Sequence, residues 1–172
     1  MSALALTSLA AAVSLAGVPL APQMELDGRA VVLSSCGIRD TLWIEHYVAA
    51  LYVPPGASAQ AVSDPAQPKA VRIHILERRW LPREVPRKWL SALQLALADD
   101  PLRRVRGAYS TLADGDEILI AYVPQHGTDM RVNGSIVTHA VGHGVIDSLL
   151  RTWAGREPVA GKLDRLASTH PC

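Results

Sequence analysis

Cysteine and net charge are both scarce in this sequence, and each scarcity excludes a class of protein. Cys36 and Cys172 are the only cysteines, and 17 Lys and Arg residues nearly balance 16 Asp and Glu residues. Zinc-knuckle spacing is therefore absent, and the charge balance does not suggest a nucleic-acid partner. Phosphate-loop, nucleophile-elbow and dinucleotide-binding motifs are absent too. We expect no cofactor and no metal site, and the length and apolar content predict one folded domain.

Charged residues are missing from the first 24 positions, where Ala, Leu and Val dominate residues 4–21. This composition predicts a secretory signal peptide over residues 1–21, followed by a domain over residues 22–172. The basic start of an ordinary signal is missing, and an uncleaved membrane anchor is the alternative. We expect the mature protein to be soluble and to be periplasmic or secreted, with no integral membrane segment after cleavage.

The two cysteines fit an oxidising compartment. A disulfide between Cys36 and Cys172 would tie the C-terminus to the segment next to Arg39, but geometry decides whether it forms. A catalytic role for Cys36 is disfavoured because no Cys-His signature surrounds it.

Basic residues are concentrated in the middle of the chain. Solvated helix faces explain such a cluster most simply, and an anionic membrane surface or a polyanion is the alternative. The cluster comprises Arg78, Arg79, Arg83, Arg87, Lys88, Arg103, Arg104 and Arg106.

Hydrophobic periodicity and turn residues predict an α+β protein with a mainly antiparallel sheet and helices packed on one face. Asp27-Gly28 and Asn133-Gly134 predict hairpins, and Asp114-Gly115-Asp116 predicts a turn. Strands are expected over 41–53, 71–75 and 118–122. Helices are expected from Pro82 or Pro86, from Pro101 and over 141–153, with a last short helix around Leu163 and Leu166.

Arg39 precedes a long β-like run, and on a single strand its side chain would share a face with Trp43, Tyr47 and Leu51. An arginine and a phenol on an apolar face suit an amphiphilic ligand whose head group is an anion. An ion pair between Arg39 and Glu45 or another local acid is the alternative interpretation. His139 and His143 stand four residues apart, but no third metal ligand is evident, so we interpret them as surface or capping residues.

Several short segments occur in an order and spacing that resemble those of the bacterial chalcone isomerase-like proteins, from about Leu26 to Leu166. These segments are Gly37-Ile38-Arg39, Tyr47-Val48-Ala49-Ala50-Leu51-Tyr52, Gly115-Asp116, Gly127-Thr128, Asn133-Gly134 and Trp153-Ala154-Gly155. The resemblance implies an open-faced β-sandwich with a ligand cleft between sheet and helices. The plant relatives include true isomerases and fatty-acid-binding proteins.

The resemblance also implies roles for two residues. Arg39 matches an arginine that contacts the ligand, and Tyr47 matches a tyrosine that assists carboxylate binding in the fatty-acid binders. The catalytic isomerases carry a threonine where this chain has Tyr47. The tyrosine and asparagine that help those enzymes order water and polarise the carbonyl have no match in the helical middle of this sequence.

Three functional hypotheses follow. The first is an exported, non-catalytic protein that binds a small amphiphilic carboxylate such as a fatty acid through Arg39, Tyr47, Trp43 and Leu51. The second is an isomerase in which Arg39 stabilises developing negative charge and Tyr47 hydrogen-bonds the substrate carbonyl. The third is an accessory envelope protein whose cleft is filled by side chains. Sequence alone leaves protein partners and oligomeric state open.

Overall fold

The computed structural model describes residues 13–57, 62–154 and 172, without the side chains of residues 153 and 154. Within these residues the chain forms nine strands and three α-helices. The strands are β1 Val13–Leu15, β2 Val18–Leu20, β3 Gln23–Leu26, β4 Arg29–Thr41, β5 Ile44–Val53, β6 Lys69–Ile75, β7 Glu117–Val123, β8 Gly127–Val132 and β9 Ser135–Ala140. The helices are α1 Arg87–Gln94, α2 Asp99–Ser110 and α3 Gly144–Ala154, and a 3-10 turn spans Arg78–Trp80.

Strands β3 to β9 form one sheet in chain order, and every neighbouring pair is antiparallel. The predicted α+β class and antiparallel sheet are confirmed. The Asp27-Gly28 and Asn133-Gly134 hairpins are confirmed as well, since each pair joins two strands by a two-residue turn with positive φ angles. Asp, Asn and Gly tolerate these angles, so both turns could be predicted from the sequence.

The two faces of the sheet are covered differently. On one face, alternate residues of the central strands, such as Leu51, Ile73 and Ile120, pack against all three helices. On the other face, Val48, Ala50 and Tyr52 belong to a second apolar cluster. Val18 and Leu20, from the small sheet formed by β1 and β2, belong to this second cluster.

The prediction of one strand over residues 41–53 was wrong, because a tight hairpin turn at Leu42-Trp43 separates β4 from β5. Both turn residues have positive φ angles, 48° and 68°. Leucine and tryptophan rarely adopt this conformation, so nothing in the local sequence signals a turn. The consequence is that Arg39 and Tyr47 lie on neighbouring strands rather than on one.

Two other sequence predictions concern residues that the structure does not describe. Residues 1–12 and the predicted helix around Leu163 and Leu166 lie outside the described residues. Within the described residues, no helix is both long enough and apolar enough to span a bilayer.

Cys36 and Cys172 form a disulfide with their Cα atoms 5.3 Å apart, within the usual range for a bonded pair.

The hairpin formed by β1 and β2 gives a test of the signal-peptide prediction, because cleavage near residue 21 would remove it. Leu20 is 2% exposed, and truncating a buried leucine costs about 2–5 kcal/mol. If residues 13–20 stay on the mature protein, Leu20→Ala should lower its free energy of unfolding by about 2 kcal/mol or more, measured by urea denaturation. An unchanged free energy, with an intact mass that starts after residue 21, would show that the hairpin is removed.

Candidate functional site

Arg39 and Tyr47 lie directly opposite each other in the pairing of β4 with β5. The register shifts immediately after this pair, between Arg39 and Asp40. Such bulges re-aim side chains and often occur next to functional sites. The bulge therefore lies at the point where the sheet brings a guanidinium and a phenol together.

Both residues line a cavity of about 290 Å³ between the sheet and the segments that lead into and form α1 and α2. Its lining is mostly apolar. It consists of Arg39, Thr41, His46, Tyr47, Ile73, Ile75, Trp80, Leu81, Pro82, Pro86, Trp89, Tyr109 and Ile118. Arg39 is half-buried and Tyr47 is buried, so the cationic residue lies where the cavity meets solvent.

A narrower apolar space of about 30 Å³ lies next to the cavity. Trp89, Tyr109 and Ile118 border both spaces. Leu93, Val105 and Met130 continue the apolar lining inward. The site therefore changes from a polar mouth to an apolar interior, as an amphiphile requires.

The charge at the mouth is set by Arg39 and by the neutral state of its neighbours. Burial, followed by the positive charge of Arg39, lowers the pKa of His46 below its ordinary value. Burial raises the pKa of the Tyr109 phenol. Both side chains are therefore uncharged near pH 7, and Arg39 supplies the cationic charge among the residues that line the described cavity.

Arg78 organises the segment that covers the cavity. Its guanidinium donates hydrogen bonds to the carbonyl oxygens of Leu81 and Pro82 at 3.1 and 2.9 Å, and it lies over the Tyr109 ring. The interpretation of Arg78 as part of a solvated helix face was therefore wrong. The other basic residues of that cluster are exposed on the surface, namely Arg79, Arg83, Arg87, Lys88, Arg103, Arg104 and Arg106.

The structure separates the four residues predicted to bind the ligand. Arg39 and Tyr47 line the same cavity. Trp43 does not line it, because it lies in the hairpin turn and is 94% exposed. Leu51 is on the face predicted for it, but it is fully buried in the core away from the cavity lining. The turn accounts for the position of Trp43, whereas Leu51 lies four residues beyond Tyr47 along β5, outside the cavity lining.

The structure also locates Glu45, the alternative ion-pair partner of Arg39. Glu45 is exposed and lies opposite Asp40 in the strand pairing. Among the ion pairs formed by the described residues, none joins Arg39 to Glu45 or to another carboxylate.

Several cavity residues were not predicted from the sequence. His46, Trp80, Trp89 and Tyr109 come from β5, the 3-10 turn, α1 and α2. Trp89 and Tyr109 carried a helical apolar signal, but that signal predicts burial and not which cavity a residue lines. His46 carried no signal because it is a single histidine within an apolar strand.

Comparisons with known proteins agree with this architecture. A sequence profile described as chalcone isomerase-like matches residues 12–165. A crystal structure of a fatty-acid binding protein from Arabidopsis thaliana superimposes with a TM-score of 0.62 at 15% sequence identity. The superposition covers 92% of this chain and 98% of the plant chain. No sequence match was found among curated proteins. At this identity the structural likeness establishes the fold alone.

Proposed function

Because the chain belongs to the chalcone isomerase-like family, we propose that it binds a small amphiphilic carboxylate, such as a fatty acid, without transforming it. The observation that carries this proposal is the cavity lined by Arg39 and Tyr47 at its mouth and by apolar side chains further in. The plant protein of similar fold is itself a fatty-acid binder.

The head group of the ligand would be held by two kinds of donor. The planar guanidinium of Arg39 matches the geometry of a carboxylate, and the Tyr47 hydroxyl donates a further hydrogen bond. His46 is neutral near pH 7 and does not add a second positive charge. A single negative charge on the ligand therefore matches the single cation at the mouth.

The apolar part of the ligand would lie beneath the covering segment. Trp80, Leu81 and Pro82 line one side of the cavity, and Ile73 and Ile75 of β6 line another. Burial of an alkyl chain here contributes about 0.8 kcal/mol for each methylene group removed from water. Affinity should therefore rise with chain length until the cavity is full.

Cavity size limits the length of the ligand. A volume of about 290 Å³ lies just below the roughly 300–1,000 Å³ found for small-molecule pockets. We expect decanoate to bind more tightly than both hexanoate and stearate when each is titrated into delipidated protein by calorimetry. Equal affinity for all three acids would contradict chain burial in this cavity.

Export and isomerase activity require their own experiments. We propose that the protein acts outside the cytoplasm, in keeping with its apolar N-terminus and the pairing of Cys36 with Cys172.

Purified protein incubated with a chalcone should give no flavanone above the uncatalysed rate, measured by loss of chalcone absorbance. Turnover that Arg39→Ala abolishes would instead favour the isomerase.

A further inference from the structure

A second groove lies on the face of the sheet opposite the helices, and it contains a compact set of metal-ligand side chains. Its volume is about 610 Å³. The donors of interest are His126, Asp129 and His139, whose ligand atoms all lie within 4.8 Å of one another. None of these residues lines the cavity assigned to the amphiphile.

The sheet itself positions the three side chains. Asp129 of β8 lies directly opposite His139 of β9, and His126 lies in the turn just before β8. Gly127, with φ of 113°, allows this close approach. A Cβ atom at Gly127 would lie 2.4 Å from the Ala140 carbonyl oxygen and 3.0 Å from the His139 ring. Two of the donors are thus fixed by paired strands and the third by a tight turn.

The donor distances fit one small ion. Asp129 Oδ1 lies 2.8 Å from His139 Nδ1 and 3.6 Å from His126 Nε2. Tetrahedral zinc with bonds of about 2.0–2.1 Å places neighbouring donors about 3.3–3.4 Å apart. Zinc binding would require His139 Nδ1 to move slightly away from Asp129 Oδ1 and His126 Nε2 to approach it, with all three donors starting within 4.8 Å of one another. Asp129 Oδ1 is shared by both contacts and would be the carboxylate ligand.

The charges in the groove favour a cation. Asp129 places a buried carboxylate next to both histidines. Arg131 occupies the other carboxylate oxygen at 3.0 Å and leaves Oδ1 to the histidines. Glu25 and Asp27 also line the groove and add negative charge.

We propose that His126, Asp129 and His139 form a binding site for a divalent transition-metal ion, with zinc favoured by the donor set of two imidazoles and one carboxylate. Three protein ligands leave a fourth tetrahedral position open toward the groove, where water or an anion can bind. Arg131 acts as a positioning residue because its hydrogen bond fixes the orientation of the carboxylate.

The sequence predicted no metal site. The histidine pair that it singled out was His139 and His143, whereas the structure brings His139 together with His126. His143 lies in the segment leading into α3, where its Nδ1 atom is 2.6 Å from Asp147 Oδ2, whereas His139 contacts Asp129. The new cluster depends on the pairing of β8 with β9, which sequence spacing does not reveal.

Titration of zinc chloride into untagged, EDTA-treated protein by calorimetry tests this proposal. We expect saturable binding of one ion per chain, and cobalt(II) should give the intense visible absorption of a tetrahedral complex. His126→Ala should weaken zinc binding by at least about tenfold, because losing a ligand costs no less than losing its supporting hydrogen bond. His126 is exposed, so this variant should fold normally.

The matched control is His74→Ala, which removes a histidine outside the cluster and outside the groove lining. This variant should bind zinc as tightly as the unaltered protein. His139→Ala should repeat the loss seen with His126→Ala. Absence of saturable binding by the unaltered protein, or unchanged affinity in His126→Ala, would overturn the proposal and leave only a hydrogen bond between His139 and Asp129.

Discussion

Replacement of Arg39 by alanine should weaken binding of decanoate by about 10- to 100-fold, because hydrogen bonds to a charged group contribute about 1.5–3 kcal/mol. Arg39 is half-buried at the cavity mouth, and no other cationic side chain lines the cavity within the described residues. Calorimetric titration of delipidated protein measures the effect directly. Lipid that co-purifies with the unaltered protein should be lost from the variant, as mass spectrometry of the extract would show.

Two variants make this prediction specific. Arg39→Lys keeps the charge but loses the planar fork, so its affinity should fall between those of the unaltered protein and Arg39→Ala. Arg29→Ala removes an exposed arginine at the opposite end of the same strand and should leave binding unchanged. Equal affinities of Arg39→Ala and Arg29→Ala would mean that the carboxylate is held elsewhere.

Tyr47 should contribute less than Arg39. Tyr47→Phe removes one hydroxyl and keeps the ring that packs in the apolar core. We expect about tenfold weaker binding at most, because one hydrogen bond is lost and no charge.

The second large effect concerns stability and arises from Lys69, which is fully buried at the start of β6. Its Nζ atom donates hydrogen bonds to Asp147 Oδ1 at 2.7 Å and to the Val62 carbonyl oxygen at 2.6 Å. Asp147→Asn would leave the buried ammonium without its counter-charge. Breaking such a pair from one side costs about 3–5 kcal/mol of stability. The Asp147 side chain is 12% exposed, so water reaches the pair from one side, and we expect a loss at the lower end of that range.

Urea denaturation measures this loss, and the chain provides a matched control. Asp100 pairs with Arg103 and Arg104 on the surface of α2, where its side chain is 65% exposed. Asp100→Asn should cost less than about 1 kcal/mol, as exposed ion pairs usually do. Combining Lys69→Met with Asp147→Asn should recover much of the lost stability, because no buried charge then remains unpaired. Similar losses for Asp147→Asn and Asp100→Asn would show that the buried pair is not a principal support of α3.

The elements with strong local signals were predictable from the sequence. Asn133-Gly134 marked a hairpin, and Leu102, Val105 and Tyr109 recurred at helical spacing on what is now α2. In each case the preference of the local residues agrees with what the fold requires. Asn133-Gly134 favours the tight turn that joins two paired strands, and the apolar residues of α2 form the face that the helix buries.

The turn at Leu42-Trp43 was not predictable because its residues have no preference for positive φ angles. Missing it placed Trp43 in the ligand site, although Arg39 and Tyr47 were still placed together. Their proximity survived because antiparallel pairing, like alternation along one strand, puts them on the same face.

Contacts between distant elements were beyond sequence reasoning altogether. Trp80 and Tyr109 meet at the cavity because the 3-10 turn and α2 pack over the same region of the sheet. The ion pair between Lys69 and Asp147 joins residues 78 positions apart. Nothing in the composition or spacing of either segment specifies the other.

The most direct test of the account is a crystal structure of the delipidated protein after addition of decanoate. We predict electron density for the acid in the cavity of about 290 Å³, with its carboxylate within hydrogen-bonding distance of the Arg39 guanidinium and the Tyr47 hydroxyl. The alkyl chain should run toward Trp89 and Tyr109. An empty cavity at saturating decanoate, or a carboxylate bound away from Arg39, would contradict the account.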